Sequence, residues 1–304
     1  MRITVSAGSR IHLGFIDPLG LLGRRWGSIG LYLDEPRLSM TVTKCEKIIV
    51  NGPEWLRKLV EEITMKLGVS GLRVECLNHI PRHVGLGSGT QTILSIGSSI
   101  SMIYELDLTV EEIALIFDRC KMSGVGYWLF QKGGLIIDGG KSSKEEIPPL
   151  LFRADFPEDW TVLLAVPTSE GLGLHGSMEE EGLKRLSAAD PKETSLTVLM
   201  KLLPSIIRKD FEKFTEAVED IDIMTSRFFE PVQSGRYFKD SQKVVESMKN
   251  AGVRGVGQSS WGPTIYGFVE RSMVEEIGRR LEKIDGFRFI FTKVRNIGAE
   301  ILQL

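Results

Sequence analysis

A strand-like run, a proline, three glycines in five residues and an apolar helical pattern follow one another in GLRVECLNHIPRHVGLGSGTQTILSIG, residues 71–97. No other stretch constrains the fold as strongly. The strand must deliver the chain to a loop in which Gly85, Gly87 and Gly89 permit approaches that a Cβ would block. Beyond the loop, Ile93, Ile96, Ile100 and Ile103 recur at helical spacing, while Ser95, Gly97, Ser98 and Ser99 leave the other side small enough for another backbone to come close. A helix that starts at such a loop has four unpaired backbone N–H groups and a partial positive charge, which together bind anions. Ser88, Thr90 and Gln91 extend the set of phosphate-facing groups, and Arg82 or His83 can add positive charge. The loop matches neither G-x-x-x-x-G-K-S/T nor G-x-G-x-x-G. For this segment alone, a plain glycine turn between strand and helix is the competing explanation.

Strands are expected at RITVSA, RLSMTVT, KIIV, GGLIIDGGK, TVLLAVP, TIYGFVE and FRFIFTKV, from their β-branched or alternating apolar residues. PEWLRKLVEEITMKLG places Trp55, Leu56, Leu59, Ile63 and Leu67 on one helical face, with Gly68 as its stop. Thr109 and Glu112 have capping-box spacing and start a further helix. Helical patterns also cover 178–186, 195–229, 238–250 and 271–283. The charged, proline-bearing KSSKEEIPPLLFRADFPEDW puts a boundary near residue 150, dividing the chain into domains 1–150 and 151–304. A chain of 304 residues can build two cores. Strands and helices mixed in both halves point to a two-domain α+β or α/β protein.

A net charge of −2 gives no global basic field to gather nucleic acid or anionic lipid, so neither is an expected partner. Cys45, Cys76 and Cys120 are widely spaced and form no C-x-x-C, which argues against a disulfide framework or a structural zinc and suits a reducing compartment. No apolar run approaches the roughly 20 residues of a membrane span. MRITVSAGSR lacks the apolar core of a signal peptide, so the expected location is cytoplasmic.

Three further loops belong with the first. SRIHLGFIDPLG, residues 9–20, carries Arg10, suited to a phosphate, and Asp17, suited to a metal or a proton; His12 by itself reads more readily as structural. SGVGYWLFQKGG, residues 123–134, offers Ser123, Gly124 and Lys132 as substrate contacts, or is a loop with half-buried rings. GVGQSSWGPT, residues 255–264, is again rich in glycine and hydroxyls. Separated loops of this kind fit a phosphorylated ligand gripped from several sides.

PRHVGLGSGTQ resembles the P-x-x-x-G-L-G-S-S motif of the galactokinase, homoserine kinase, mevalonate kinase and phosphomevalonate kinase superfamily, and GVGQSSWGP sits where that superfamily has its C-terminal glycine-rich loop. The resemblance implies an α+β fold, with an N-terminal domain like ribosomal protein S5 domain 2 and a ferredoxin-like C-terminal domain. Mevalonate-kinase-like members read SGVD where this chain reads SGVG, so Gly126 replaces the presumed base for the accepting hydroxyl. HLGFIDPLG, GSIGLYLDEP, HVGLGSGTQ, GGLIIDGG and GVGQSSWGPT resemble one branch, the β-ribofuranosylaminobenzene 5′-phosphate synthase family.

That branch implies a pentosyltransferase joining 5-phosphoribosyl 1-diphosphate to 4-hydroxybenzoate or 4-aminobenzoate, with loss of diphosphate and carbon dioxide. It also implies Mg²⁺ carried with the diphosphate, no organic cofactor, and a homodimer. On this reading Arg10, Gly85, Gly87, Ser88, Gly89, Thr90 and Gln91 face the phosphates, and His12 or Asp17 draws a proton from the phenol or amine. Asp17 is alternatively a metal ligand. Arg10 and Lys132 are candidates for the 5-phosphate or the benzoate carboxylate. Gln258, Ser259 and Ser260 are ligand contacts by analogy. Trp261 and Tyr127 either stack on the acceptor or pack, and His175 is peripheral. Two alternatives stay open at this level: an ATP-dependent small-molecule kinase with a relocated base, and a phosphate-sensing protein without chemistry.

Overall fold

The computed structural model describes residues 1–143, 146–169, 190–233, 235–238, 241–281 and 283–304. The expected helix 178–186 and His175 lie outside the described residues. The frame is a long antiparallel pair, β1 (Arg2–Asp17) and β2 (Trp26–Lys44), in register from Arg2 against Thr43 to Asp17 against Trp26. Two register shifts interrupt it, between Ala7 and Ser9 and between His12 and Gly14. Residues 9–17, expected as a loop after the first strand, instead continue β1 to its end.

Around this pair forms a seven-stranded sheet ordered β11-β1-β2-β4-β3, with β5 on β2 and β6 on β5. Here β3 is Ile49–Asn51, β4 Leu72–Asn78, β5 Leu135–Asp138, β6 Leu150–Ala154 and β11 Glu300–Gln303. A second, antiparallel sheet is ordered β10-β7-β9-β8, from β7 (Trp160–Pro167), β8 (Arg254–Gln258), β9 (Ile265–Glu270) and β10 (Phe287–Thr292). A cut at residue 150 does not separate the sheets: β6 pairs with β5, and the last strand returns to pair with β1.

The apolar run of β7 follows from burial on both faces. Val162, Leu164 and Val166 enter the main core, while Leu163 and Ala165 enter a smaller core with Val244, Val245 and Met248 of the helix Ser241–Ala251. On the main-core side the helix Phe211–Gln233 contributes Phe214, Val218 and Ile221. This helix runs close beneath β1, since a Cβ on Gly14 would lie 2.5 Å from Thr225 Oγ1 and 2.6 Å from Ile221 Cγ2.

Four helices build the first half: α1 (Glu54–Lys66), α2 (Ser88–Tyr104), α3 (Val110–Ile116) and α4 (Val125–Lys132). The small side of α2 serves close approach, because a Cβ on Gly97 would come 2.6 Å from Ile113 of α3. The capping box of α3 is present: Glu112 N–H donates to Thr109 Oγ1 at 3.2 Å, and Thr109 N–H to Glu112 Oε2 at 2.8 Å. Among the described residues no helix is long and apolar enough to cross a membrane.

Candidate active site

The glycine loop, β1 and the turn after β8 are tied at one carbonyl. Gly85 O accepts Arg10 Nη1 at 2.7 Å and Ser259 Oγ at 2.6 Å; Ser259 Oγ in turn accepts His12 N–H at 3.0 Å. Arg10 N–H donates to Leu86 O at 3.0 Å. Each of the first two glycines answers a different neighbour. Gly85 has φ +88° and a Cβ there would sit 2.4 Å from Ser259 O; Gly87 has φ +75° and its Cβ would meet Arg10 Cγ at 2.6 Å. Gly87 is the N-cap of α2, no side chain caps that helix, and its first-turn amides are offered to a cleft of about 1120 Å³.

Six basic side chains line this cleft (Arg10, Arg25, Arg82, Arg119, Lys121, Lys141), against the carboxylates of Glu62 and Asp118. Asp118 is itself paired with Lys121 at 2.8 Å. The chain as a whole carries −2, so the positive field is local. Lys141 is buried and donates from Nζ to Cys120 O at 3.0 Å. The side chain is thus held at the cleft wall, where an anion is weakly screened by water. Lys141→Met is expected to raise the KM for a phosphorylated donor about tenfold, the cost of one charge-assisted hydrogen bond, with a smaller change in kcat. Steady-state kinetics over donor concentration checks it.

A second part of the cleft is aromatic. Phe15, Trp26 and Trp261, all nearly fully buried, line it with Met122. Phe15 lies 4.3 Å from the His12 ring and 5.2 Å from Trp26, centroid to centroid, and Phe229 backs Trp261 at 4.4 Å. His12 is only 2% exposed, and neither ring nitrogen has a hydrogen-bond partner. Burial first, and the Arg10 charge second, hold its pKa well below the usual histidine value, so it is neutral.

Beneath the wall lies Asp138, fully buried, accepting N–H from Ser28 at 3.2 Å, Gly124 at 2.8 Å and Gly140 at 2.9 Å. Burial pushes its pKa up to about 6 against the pull of those amides. It thereby fixes the backbone beside Ser123 on one side and Lys141 on the other.

Of the residues expected from sequence, Arg10, His12, Gly85, Gly87, Ser88, Gly89, Thr90, Ser123, Ser260 and Trp261 converge on this cleft, with Arg82 and His83. The others do not line it. Asp17 spends both carboxylate oxygens on the turn that follows, accepting Gly20 N–H at 2.8 Å and Leu22 N–H at 2.7 Å. Gln91 is a buried brace, accepting Tyr32 Oη at 3.0 Å and donating to Gly126 O at 2.9 Å. Gly124 serves Asp138, and Lys132 is exposed at the far end of α4. Gln258 Oε1 accepts Phe238 N–H at 2.7 Å, and Ser259 is the buried tie already described. Tyr127 packs edge-on to Trp128. Sequence reasoning missed Arg25, Arg119, Lys141, Phe15 and Trp26. The signal was slight: a lysine after the glycine pair that closes β5, and the Arg25–Trp26 pair that opens β2.

Residues 54–126 match the GHMP kinases N terminal domain, and residues 202–284 match GHMP kinases C terminal. A mevalonate pyrophosphate decarboxylase structure from Streptococcus pyogenes superposes with a TM-score of 0.68 over 98% of both chains, at 14% identity, a likeness of fold alone. Fold and glycine loop together define a member of the GHMP kinase superfamily. The beta-ribofuranosylphenol 5′-phosphate synthase of Archaeoglobus fulgidus is 34% identical, over 96% of this chain and 97% of its own length. That of Methanothermobacter thermautotrophicus is 30% identical over 100% and 99%. Within the superfamily, the chain belongs to the β-ribofuranosylphenol 5′-phosphate synthase family. Membership makes it an enzyme of the synthase type and sets it apart from the superfamily's kinases.

Proposed function

We propose that the chain joins 5-phosphoribosyl 1-diphosphate to 4-hydroxybenzoate or 4-aminobenzoate in the cytoplasm, releasing diphosphate and carbon dioxide. The product in the relatives' name, a ribofuranosylphenol 5′-phosphate, favours the hydroxybenzoate. The observation that carries the reading is that one cleft presents both cations around the start of α2 and a cluster of aromatic rings, Phe15, Trp26 and Trp261, with Arg25 stacked over Trp26 at 4.6 Å. A doubly phosphorylated sugar needs the first; a flat acceptor needs the second.

The chemistry suits these residues. Charge grows on the leaving diphosphate as the ribose C1–O bond breaks, and the amides of α2 with the surrounding cations stabilise it. The ring carbon bearing the carboxylate forms the new bond to C1. Its bond to the carboxylate then breaks, and that electron pair restores the aromatic ring. No proton need be removed at the attacked carbon, which makes Gly126 acceptable where kinases of this superfamily hold a carboxylate. Among the described residues no cluster of three metal-binding side chains exists, and of the lining carboxylates Asp118 is already paired. This is compatible with the reading that Mg²⁺ is carried in on the diphosphate oxygens.

The test supplies carboxyl-labelled 4-hydroxybenzoate, 5-phosphoribosyl 1-diphosphate and Mg²⁺. Equal release of labelled carbon dioxide and diphosphate without ATP is expected. Formation of ADP from ATP with no labelled gas would overturn the reading.

A further inference from the structure

We propose that His12 holds the 4-substituent of the aromatic acceptor and carries its proton through the reaction, with Phe15, Trp26 and Trp261 as the walls around the ring. This rests on the pentosyltransferase reading and adds the acceptor's place and orientation.

The argument begins with an unmet demand. Both His12 ring nitrogens are buried without a protein partner, although the ring faces the cleft. A buried polar atom left unpaired is unfavourable, so the arrangement is one that a ligand reaching the ring improves. The backbone aims the ring there deliberately, because the register of β1 against β2 shifts between His12 and Gly14, and such irregularities redirect side chains. A neutral imidazole presents one donor and one acceptor. Phosphates and carboxylates only accept, and the neighbouring Arg10 suits them better. A hydroxyl or amino group both donates and accepts, and so pairs with whichever ring nitrogen it reaches, in either tautomer. The apolar ring that carries that group then lies among Phe15, Trp26 and Trp261. Asp17, the other candidate base on β1, has both oxygens committed to its own turn.

The steps balance. His12 takes the phenol proton as the O–H pair moves toward the ring and C–O becomes C=O. The ring carbon para to it forms the bond to ribose C1, and the C1–O bond breaks with its electrons on diphosphate. Loss of carbon dioxide then returns a pair to the ring, and the carbonyl oxygen takes its proton back from His12. The product leaves as a phenol with the imidazole again neutral.

The test reads binding separately from turnover. Trp26 and Trp261 report by fluorescence quenching as 4-hydroxybenzoate, 4-aminobenzoate and 4-methylbenzoate are titrated into the enzyme. The wild type is expected to bind the hydroxy and amino compounds about tenfold or more tightly than the methyl isostere, which leaves the imidazole unpaired. His12→Phe is expected to bind all three alike, to bind 5-phosphoribosyl 1-diphosphate normally by calorimetry, and to lose about 10²–10⁴-fold in turnover. His12→Gln, which keeps a donor and an acceptor, should retain part of the discrimination but not the rate. Equal binding of hydroxy and methyl compounds by the wild type overturns the proposal, whether or not His12→Phe folds. So does a His12→Phe enzyme that keeps both discrimination and rate. Failure of the wider reading looks different: no labelled carbon dioxide from the wild type, whatever the binding pattern.

Discussion

Gly85→Ala is expected to weaken donor binding about 100-fold and lower the melting temperature, whereas Gly89→Ala in the same loop is expected to leave the fold at least as stable. The new Cβ at 85 would lie 2.4 Å from Ser259 O and 3.3 Å from Gly262 O. Both are backbone atoms of the opposing loop, so relief requires the two loops to separate. The residue also has φ +88°, which costs an alanine about 1–2 kcal/mol, and overpacking adds about 1–3 kcal/mol. A fall in Tm of about 5–15 °C follows. Because Gly85 O holds both Arg10 and Ser259, a shift of about 1 Å there misplaces the guanidinium and the start of α2 together, worth about 100-fold in donor affinity. At Gly89 the nearest atom to a Cβ is Arg119 Nη2 at 3.9 Å, and the site lies in the first turn of α2, where alanine is preferred to glycine. Calorimetric unfolding and donor titration of the two variants decide the matter. Equal behaviour would mean that the loops do not clamp one another.

The same pair of glycines shows what could be read from sequence. Strand, glycines and isoleucine-spaced helix are local patterns, and α1, α2, α3, β4, β5, β7, β9 and β10 follow from them. Elements failed to show where tertiary contact outweighs local signal. Residues 9–17 look like a loop because of Gly8, Ser9, Gly14 and Asp17, yet residues 26–33 of β2 pair along them. Residues 125–132 read as an aromatic loop but form α4, whose start is held from outside by the Asp138 carboxylate. Sheet membership of β11 depends on a partner at the other end of the chain, which no window of residues contains.

For the site, the glycine loop, Arg10 and His12 were legible because backbone geometry and charge announce themselves. Asp17, Gln91 and Gln258 do not line the cleft, and a polar side chain near a loop gives no sign in sequence of whether it faces a cleft or backbone. Asp17 turned to the amides of residues 20 and 22, and Gln258 to Phe238 N–H. The cations were missed for the converse reason. Arg119 and Lys141 sit in unremarkable sequence and become site residues only because α2, the turn after α3 and the turn after β5 converge.

Asp138 is likewise a polar side chain turned to backbone, and it supports a cleft cation from behind. It lies under the cleft wall, touches no open part of it, and organises three backbone segments. Asp138→Ala orphans three buried N–H groups and is expected to destabilise the fold by about 3–5 kcal/mol, with turnover falling because Ser123 and Lys141 lose their support. Asp138→Asn is more selective. An amide oxygen in the Oδ1 position still accepts Ser28 and Gly140, while its NH₂ faces the Gly124 N–H at the start of α4. The folded pKa is raised to about 6 from the ordinary aspartate value of 3.8, so the native state takes up a proton before the unfolded chain does. This group's contribution to stability therefore increases as the pH falls from 7 through 6 toward 4, and the ionised form at neutral pH works against the fold. Asparagine has no such dependence. In urea titrations at pH 7, 6 and 5, the stability advantage of the wild type over Asp138→Asn is expected to widen at each step down. An advantage that stays constant over that range would show that the carboxylate remains ionised throughout, its amides outweighing its burial.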